Sequence, residues 1–200
     1  MKIALFFGTF NPIHVGHLII AQHIINENLA QQTWLVLSPH NPLKDKKSLL
    51  PDLQRLYMTR LAVEDNDRIK VSDIEFSMAQ PNYTIHTLIA LTEKYPQHSF
   101  SLVIGEDNLR NFSKWYNYEK IIENYSIIVF PRNLQSSETN IENKISQNHP
   151  NSSSIRFVKE FPLLDISSSF IRNQIKNKKD VRYLLSEKVL KFVSEMNFYK

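Results

Sequence analysis

A short apolar run, Ile3 to Phe7, stops at Gly8 and, beyond Pro12, gives way to an amphipathic segment carrying Leu18, Ile19, Ala21, Ile24 and Ile25. That order predicts a buried strand, a tight loop and a helix. The pattern then repeats: apolar runs at Thr33–Leu37, Ile69–Val71, Ser101–Ile104, Ile127–Phe130 and Ile155–Val158 predict five further strands, with helical segments among them. Strands alternating with helices predict an α/β fold around a parallel sheet. In such sheets ligands bind outside the carboxyl ends of the strands.

The loop between the first strand and helix reads Gly8-Thr9-Phe10-Asn11-Pro12-Ile13-His14-Val15-Gly16-His17. A helix N-terminus presents unpaired N–H groups and a partial positive charge, which suits phosphate. Gly8 lets the backbone approach a ligand closely, and Pro12 stiffens the turn. His14 and His17 are three residues apart, so both rings share one face of the first helical turn. Imidazoles placed there can donate hydrogen bonds to phosphate oxygens. The residues alone leave two other readings open for the pair: a zinc site, for which no cysteine or third ligand stands nearby, and a purely structural role.

The chain has 200 residues, enough for one domain with a full core, and spans 1–200 as a single unit. Zero cysteines exclude a disulfide framework and thiolate chemistry. No cleavable signal and no apolar run near the ~20 residues of a membrane span are evident, so a cytoplasmic location with no membrane partner is expected. The net charge is +4. Its lysines fall in short clusters, 44–47 and 176–179, without a long basic helix or interleaved aromatics, which predicts no nucleic-acid partner. The three glycines, Gly8, Gly16 and Gly105, all fall at predicted strand-to-helix junctions, and no P-loop or dinucleotide fingerprint is present.

Along the chain, 38–51 reads as a polar loop in which Lys44 is a candidate phosphate contact. Asp52 is expected to cap a helix in which Arg55 and Arg60 read as solvated. Pro81-Asn82-Tyr83-Thr84 opens another helix, with no acidic residue between Ser77 and Leu91. Its N–H groups near Tyr83 and Thr84 would welcome a carboxylate, or the residues simply cap. Asp107 follows the strand that ends at Gly105, placed to accept ribose hydroxyls. Trp115 reads equally as core or as a platform for a flat heteroaromatic ring. Residues 133–154, rich in Asn, Ser and Gln, read as a variable surface excursion, and 186–196 as a closing helix. Ile166-Ser167-Ser168-Ser169-Phe170-Ile171-Arg172 predicts a capped helix start where hydroxyls, N–H groups and a guanidinium form an anion clamp.

The opening motif resembles the G-x-F-x-P-x-H-x-G-H signature of the nucleotidyltransferase superfamily of adenylyl- and cytidylyltransferases. Together with Asn41-Pro42-Leu43-Lys44, Pro81 to Leu88, Ile104-Gly105-Glu106-Asp107 with Trp115, and Ile166 to Arg172, it looks like the bacterial nicotinate-nucleotide adenylyltransferases. Four positions depart from the usual pattern. Phe7 replaces a glycine, Asn11 an aspartate and Ser169 a threonine, and the lysine loop reads N-P-L-K instead of P-P-H-K.

The resemblance implies a Rossmann-like doubly wound sheet with helices on both faces. It also implies adenylyl transfer from ATP to nicotinate mononucleotide, giving deamido-NAD and pyrophosphate, with Mg²⁺ held mainly by the triphosphate. His14, His17 and Arg172 would be catalytic. Gly8, Thr9, Phe10, Gly105, Asp107, Ile166, Ser168 and Ser169 would join them in binding ATP. Lys44, Tyr83, Thr84, Asp107, Trp115 and Arg132 would bind the second substrate. Rival expectations are an adenylyltransferase preferring nicotinamide mononucleotide or phosphopantetheine, and a non-catalytic nucleotide-binding module. Oligomeric state is not legible.

Overall fold

Six parallel strands form one sheet among the residues that the computed structural model describes, 1–39, 49–131 and 155–200. They are β1 (Lys2–Gly8), β2 (Gln32–Leu37), β3 (Ile69–Ser72), β4 (Ser99–Gly105), β5 (Ser126–Phe130) and β6 (Ile155–Phe157), in the order β3-β2-β1-β4-β5-β6. A parallel sheet is covered on both faces, so its strands read as near-continuous apolar runs. In β1, Ile3 and Leu5 enter one core cluster while Ala4 enters another, as a period of two requires.

The first face packs helix α1 (Val15–Asn26), α2 (Asp52–Val63), α6 (Ser168–Lys176) and α7 (Glu187–Glu195) around Ile25, Leu35, Leu37, Met58, Ile171 and Val189. The opposite face packs α3 (Thr84–Lys94) and α5 (Tyr118–Asn124) against Leu5, Leu88, Leu102 and Ile127. A short helix α4 (Glu106–Arg110) follows β4, and 3-10 turns occupy Ile74–Ser77 and Phe112–Lys114. Helix α4 begins directly after Gly105, as the predicted strand-to-helix junction there requires. The two 3-10 turns carry too few residues to show a period and were not anticipated.

Strand order reverses between β1 and β4, so chain connections leave these neighbours in opposite directions and a crevice opens beyond their carboxyl ends. Phe6 pairs with Val103, which brings Gly8 and Gly105, each two residues further on, to the same level at that edge. The helix predicted at 186–196 is α7, with Ser186 as its N-cap. Asp52, expected to cap α2, is instead its first helical residue: Pro51 holds the cap position, and the Asp52 carboxylate turns to Arg55. The predicted surface excursion at 133–154 lies outside the described residues, as do Lys44 and Arg132. Among the described residues no helix is long and apolar enough to cross a membrane.

Candidate active site

Beyond Gly8 the backbone turns through Phe10 at φ 42°, a conformation that a bulky L-residue resists, and reaches His14, the N-cap of α1. The Phe10 side chain is buried beneath the loop, edge-on to Phe6 and His17 with ring centroids 6.0 and 5.1 Å away. A Cβ at Gly8 would lie 2.9 Å from the Phe10 ring. Glycine at position 8 therefore admits an aromatic core residue. Phe10, expected among the ATP-binding residues, has its ring enclosed in the core, so a contact there would come from its backbone.

The two histidines stack, with centroids 3.7 Å apart and planes 26° from parallel. His17 Nδ1 accepts the backbone N–H of His14 at 3.3 Å, so the proton of a neutral His17 ring resides on Nε2. Gly16 makes room for this pair: a Cβ there would stand 3.1 Å from His14 Nδ1 and 3.2 Å from its Cε1. The first amide of α1 is already engaged, since Val15 N–H donates to Leu184 C=O at 3.0 Å. Among the described residues no three His, Cys, Asp or Glu side chains gather as a metal-binding group.

Helix α6 docks its N-terminus on this loop. Ser167 is the cap, its hydroxyl accepting from Phe170 N–H at 3.1 Å. Ser168 donates to Pro12 C=O at 2.9 Å, so its hydroxyl proton, assigned to phosphate by the resemblance, is bound to the motif loop instead. Arg172 donates through Nη1 to Asn11 C=O at 2.8 Å and through Nη2 to Ser169 Oγ at 3.2 Å. Ile166 packs beside Gly16, with its Cβ 3.7 Å from where a Gly16 Cβ would lie. Two stretches some 160 residues apart thus become one bonded unit.

Arg55, read from sequence as solvated, is 0% exposed. Its Nε donates to Leu50 C=O at 2.9 Å and Nη1 to Thr9 C=O at 2.6 Å and Ser38 C=O at 3.0 Å, while Nη2 donates to Pro39 C=O at 2.9 Å and to Asp52. Burial pulls its pKa below the ordinary arginine value, opposed by the Asp52 carboxylate beside it. The guanidinium clamps the ends of β1 and β2 to the start of α2. A signal was available: Arg55, Thr59 and Val63 recur every four residues on the buried stripe of α2. Glu75 was missed as well. It is buried and accepts from Thr87 Oγ1 at 2.8 Å, and burial raises its pKa despite hydrogen bonds from Thr87, Ser38 and Asn82.

The remaining predicted residues stand on elements that follow β3 and β4 at the same edge. Tyr83 is the N-cap of α3 and Thr84 its first residue. Gly105 caps α4, and Asp107 is exposed in its first turn. Trp115 is half-buried, tilted against Phe112 at 5.1 Å, so one side of the indole belongs to the core. The aromatic that meets the start of α3 is its neighbour Tyr116, stacked on Tyr83 at 4.6 Å and edge-on to His86 at 5.6 Å.

A doubly wound sheet whose β1–β4 crevice carries a stacked histidine pair and a docked arginine is the frame of a nucleotide-binding transferase. Residues 5–174 match the family described as cytidylyltransferase-like. Proteins of Flavobacterium psychrophilum and Flavobacterium johnsoniae, both named "Probable nicotinate-nucleotide adenylyltransferase", are 50% and 52% identical over the whole of both chains. The chain belongs to the cytidylyltransferase-like family and, within it, to the nicotinate-nucleotide adenylyltransferases. Its fold is similar to that of Plasmodium falciparum nicotinic acid mononucleotide adenylyltransferase, solved in complex with NaAD. That likeness has a TM-score of 0.81 at 20% identity and covers 99% of this chain and 97% of that one. The same Plasmodium enzyme complexed with APC gives a TM-score of 0.77 over 99% and 96%.

Proposed function

We infer that this protein transfers the adenylyl group of ATP to nicotinate mononucleotide, releasing pyrophosphate and forming deamido-NAD. Full-length kinship to nicotinate-nucleotide adenylyltransferases supports the reaction. The observation that carries the mechanism is the bonding of Arg172 and Ser168 to the histidine loop, which joins two distant stretches rich in hydrogen-bond donors.

A phosphate oxygen of the mononucleotide attacks the α-phosphorus of ATP in line, and the bond to the bridging oxygen of the β-phosphate breaks. No side chain need act as nucleophile; the protein supplies position and opposing charge. His17, with its neutral-ring proton on Nε2, donates toward the α-phosphate oxygens, where negative charge builds, and His14 stacks behind it. Arg172 and Ser169 face the departing β- and γ-phosphates. Preorganised donors of this kind are worth about 3–4 kcal/mol of barrier each. Mg²⁺ would enter on the triphosphate and neutralise its charge. It would be held mainly by phosphate oxygens and water, as Mg²⁺ with a nucleotide usually is.

For the acceptor, the α3 N-terminus at Tyr83 and Thr84 would receive the pyridine carboxylate, and the outer face of Trp115 would stack the ring. Asp107 would hold a ribose. Lys44 and Arg132, outside the described residues, would join the set as charge partners for phosphate on the sequence resemblance alone. A carboxylate accepts from two N–H groups where an amide presents a misplaced donor, so nicotinate is the preferred base.

Pyrophosphate release is measured with ATP and Mg²⁺ against nicotinate mononucleotide, nicotinamide mononucleotide and phosphopantetheine in parallel. Strong preference for the first is the expected result. Equal kcat/KM for the two pyridine mononucleotides would overturn the α3 assignment, and no turnover with any acceptor would overturn the reaction.

A further inference from the structure

The last turn of α7 does not simply run out. Asn197 at φ 55° and Tyr199 at φ 65° bend the chain back, and Phe198 is buried against Phe192 at 5.5 Å. This return places the Tyr199 phenol on the motif loop, where its hydroxyl lies 2.8 Å from Asn11 Oδ1 across 188 residues of sequence. Leu50 N–H reaches the same Oδ1 at 3.3 Å. A backbone N–H can only donate, so the atom facing it is the amide oxygen, and the phenol must donate too. The backbone carbonyl of Asn11 meanwhile accepts from Arg172 Nη1 at 2.8 Å.

Asn11 is therefore held from three directions, by the returning chain, by the approach to α2 and by α6. It follows directly on Phe10, whose positive φ persists only where surroundings over-determine it. We propose that Tyr199 is a positioning residue for the phosphate-binding loop: through Asn11 it fixes the loop that presents His14 and His17 and docks Arg172. Burial pushes the phenol above its ordinary pKa, against the pull of Arg172 and then Arg55, so it stays a donor. The proposal rests on reading Gly8–His17 as that loop.

The test is Tyr199→Phe, which removes one oxygen and keeps the ring. Losing one neutral hydrogen bond, about 1 kcal/mol, corresponds to a kcat about fivefold lower if the bond acts in the transition state. KM for nicotinate mononucleotide should stay within about twofold, because the acceptor contacts proposed above are made by α3 and Trp115 and not by Asn11. In an Asn11→Ala background, Tyr199→Phe should have no further effect on kcat, since the coupling runs through that side chain. An unchanged kcat, an equal fold-loss in both backgrounds, or a loss that only tracks the folded fraction by circular dichroism would overturn the proposal. His17→Ala in the same assay separates the two ideas. If it leaves kcat intact, the phosphate-loop reading itself fails; if it is inactive while Tyr199→Phe is not impaired, only the positioning role fails.

Discussion

Arg55→Lys keeps the buried charge and removes the fork. The guanidinium reaches four carbonyls and one carboxylate, those of Leu50, Thr9, Ser38, Pro39 and Asp52. An ammonium has three donors on a single nitrogen, so at least two of those acceptors lose their partner. A buried acceptor left unmatched costs about 1–3 kcal/mol. The expected loss is therefore about 2–6 kcal/mol, a large share of the ~5–15 kcal/mol that holds a domain folded.

Urea unfolding followed by tryptophan fluorescence reads this directly, since Trp34 and Trp115 both pack beside the core. Arg55→Met removes the charge along with all five bonds and leaves Asp52 unpaired, so its loss should exceed that of the lysine variant. A lysine variant less stable than the parent by under about 1 kcal/mol would refute the reasoning, because it would mean that the five contacts are not individually needed.

His17→Ala should lower kcat by two or more orders of magnitude, roughly 3 kcal/mol of barrier, with little change in KM in steady-state pyrophosphate release. Gly16→Ala should fold, yet turn over about tenfold slower or worse, because the new Cβ meets the His14 ring at 3.1 Å and that ring has His17 stacked on it; wild-type kcat would show that the pair can shift freely. Glu75→Gln tests the buried carboxyl. Burial raises its pKa, so its stabilising contribution is full below the unfolded glutamate value of about 4.3 and is lost as pH rises through the raised folded value. The glutamine variant should gain on the parent in urea midpoint as pH rises above the unfolded glutamate value of about 4.3, and a pH-independent difference would refute this.

Much of this architecture is local in origin. The strands are legible as apolar runs because both faces of a parallel sheet are covered, and β1 through β6 lie within a residue or two of where the runs place them. The histidine loop, the α3 start and the serine-rich start of α6 are legible because capping and turn chemistry act between near neighbours. Ser186 before α7 is another such cap position.

What the tertiary structure alone decided are the partners of groups far apart in sequence. Arg55 looks like a surface arginine until three chain segments converge on it, and a buried guanidinium is tolerable only once every donor has found an acceptor. Ser168 and Arg172 look like ligand groups, yet both also bond the motif loop, a contact that no spacing rule encodes. Phe10 reads as a loop residue, but its ring closes the core because Gly8 leaves the volume. Trp115 and Tyr116 are adjacent in sequence, and only the packing of Phe112 and Tyr83 gives one to the core and the other to the surface. Local pattern thus determined the elements and the chemistry they carry. Which side chain touches which depends on long-range packing, whose contacts are set by the three-dimensional path of the whole chain.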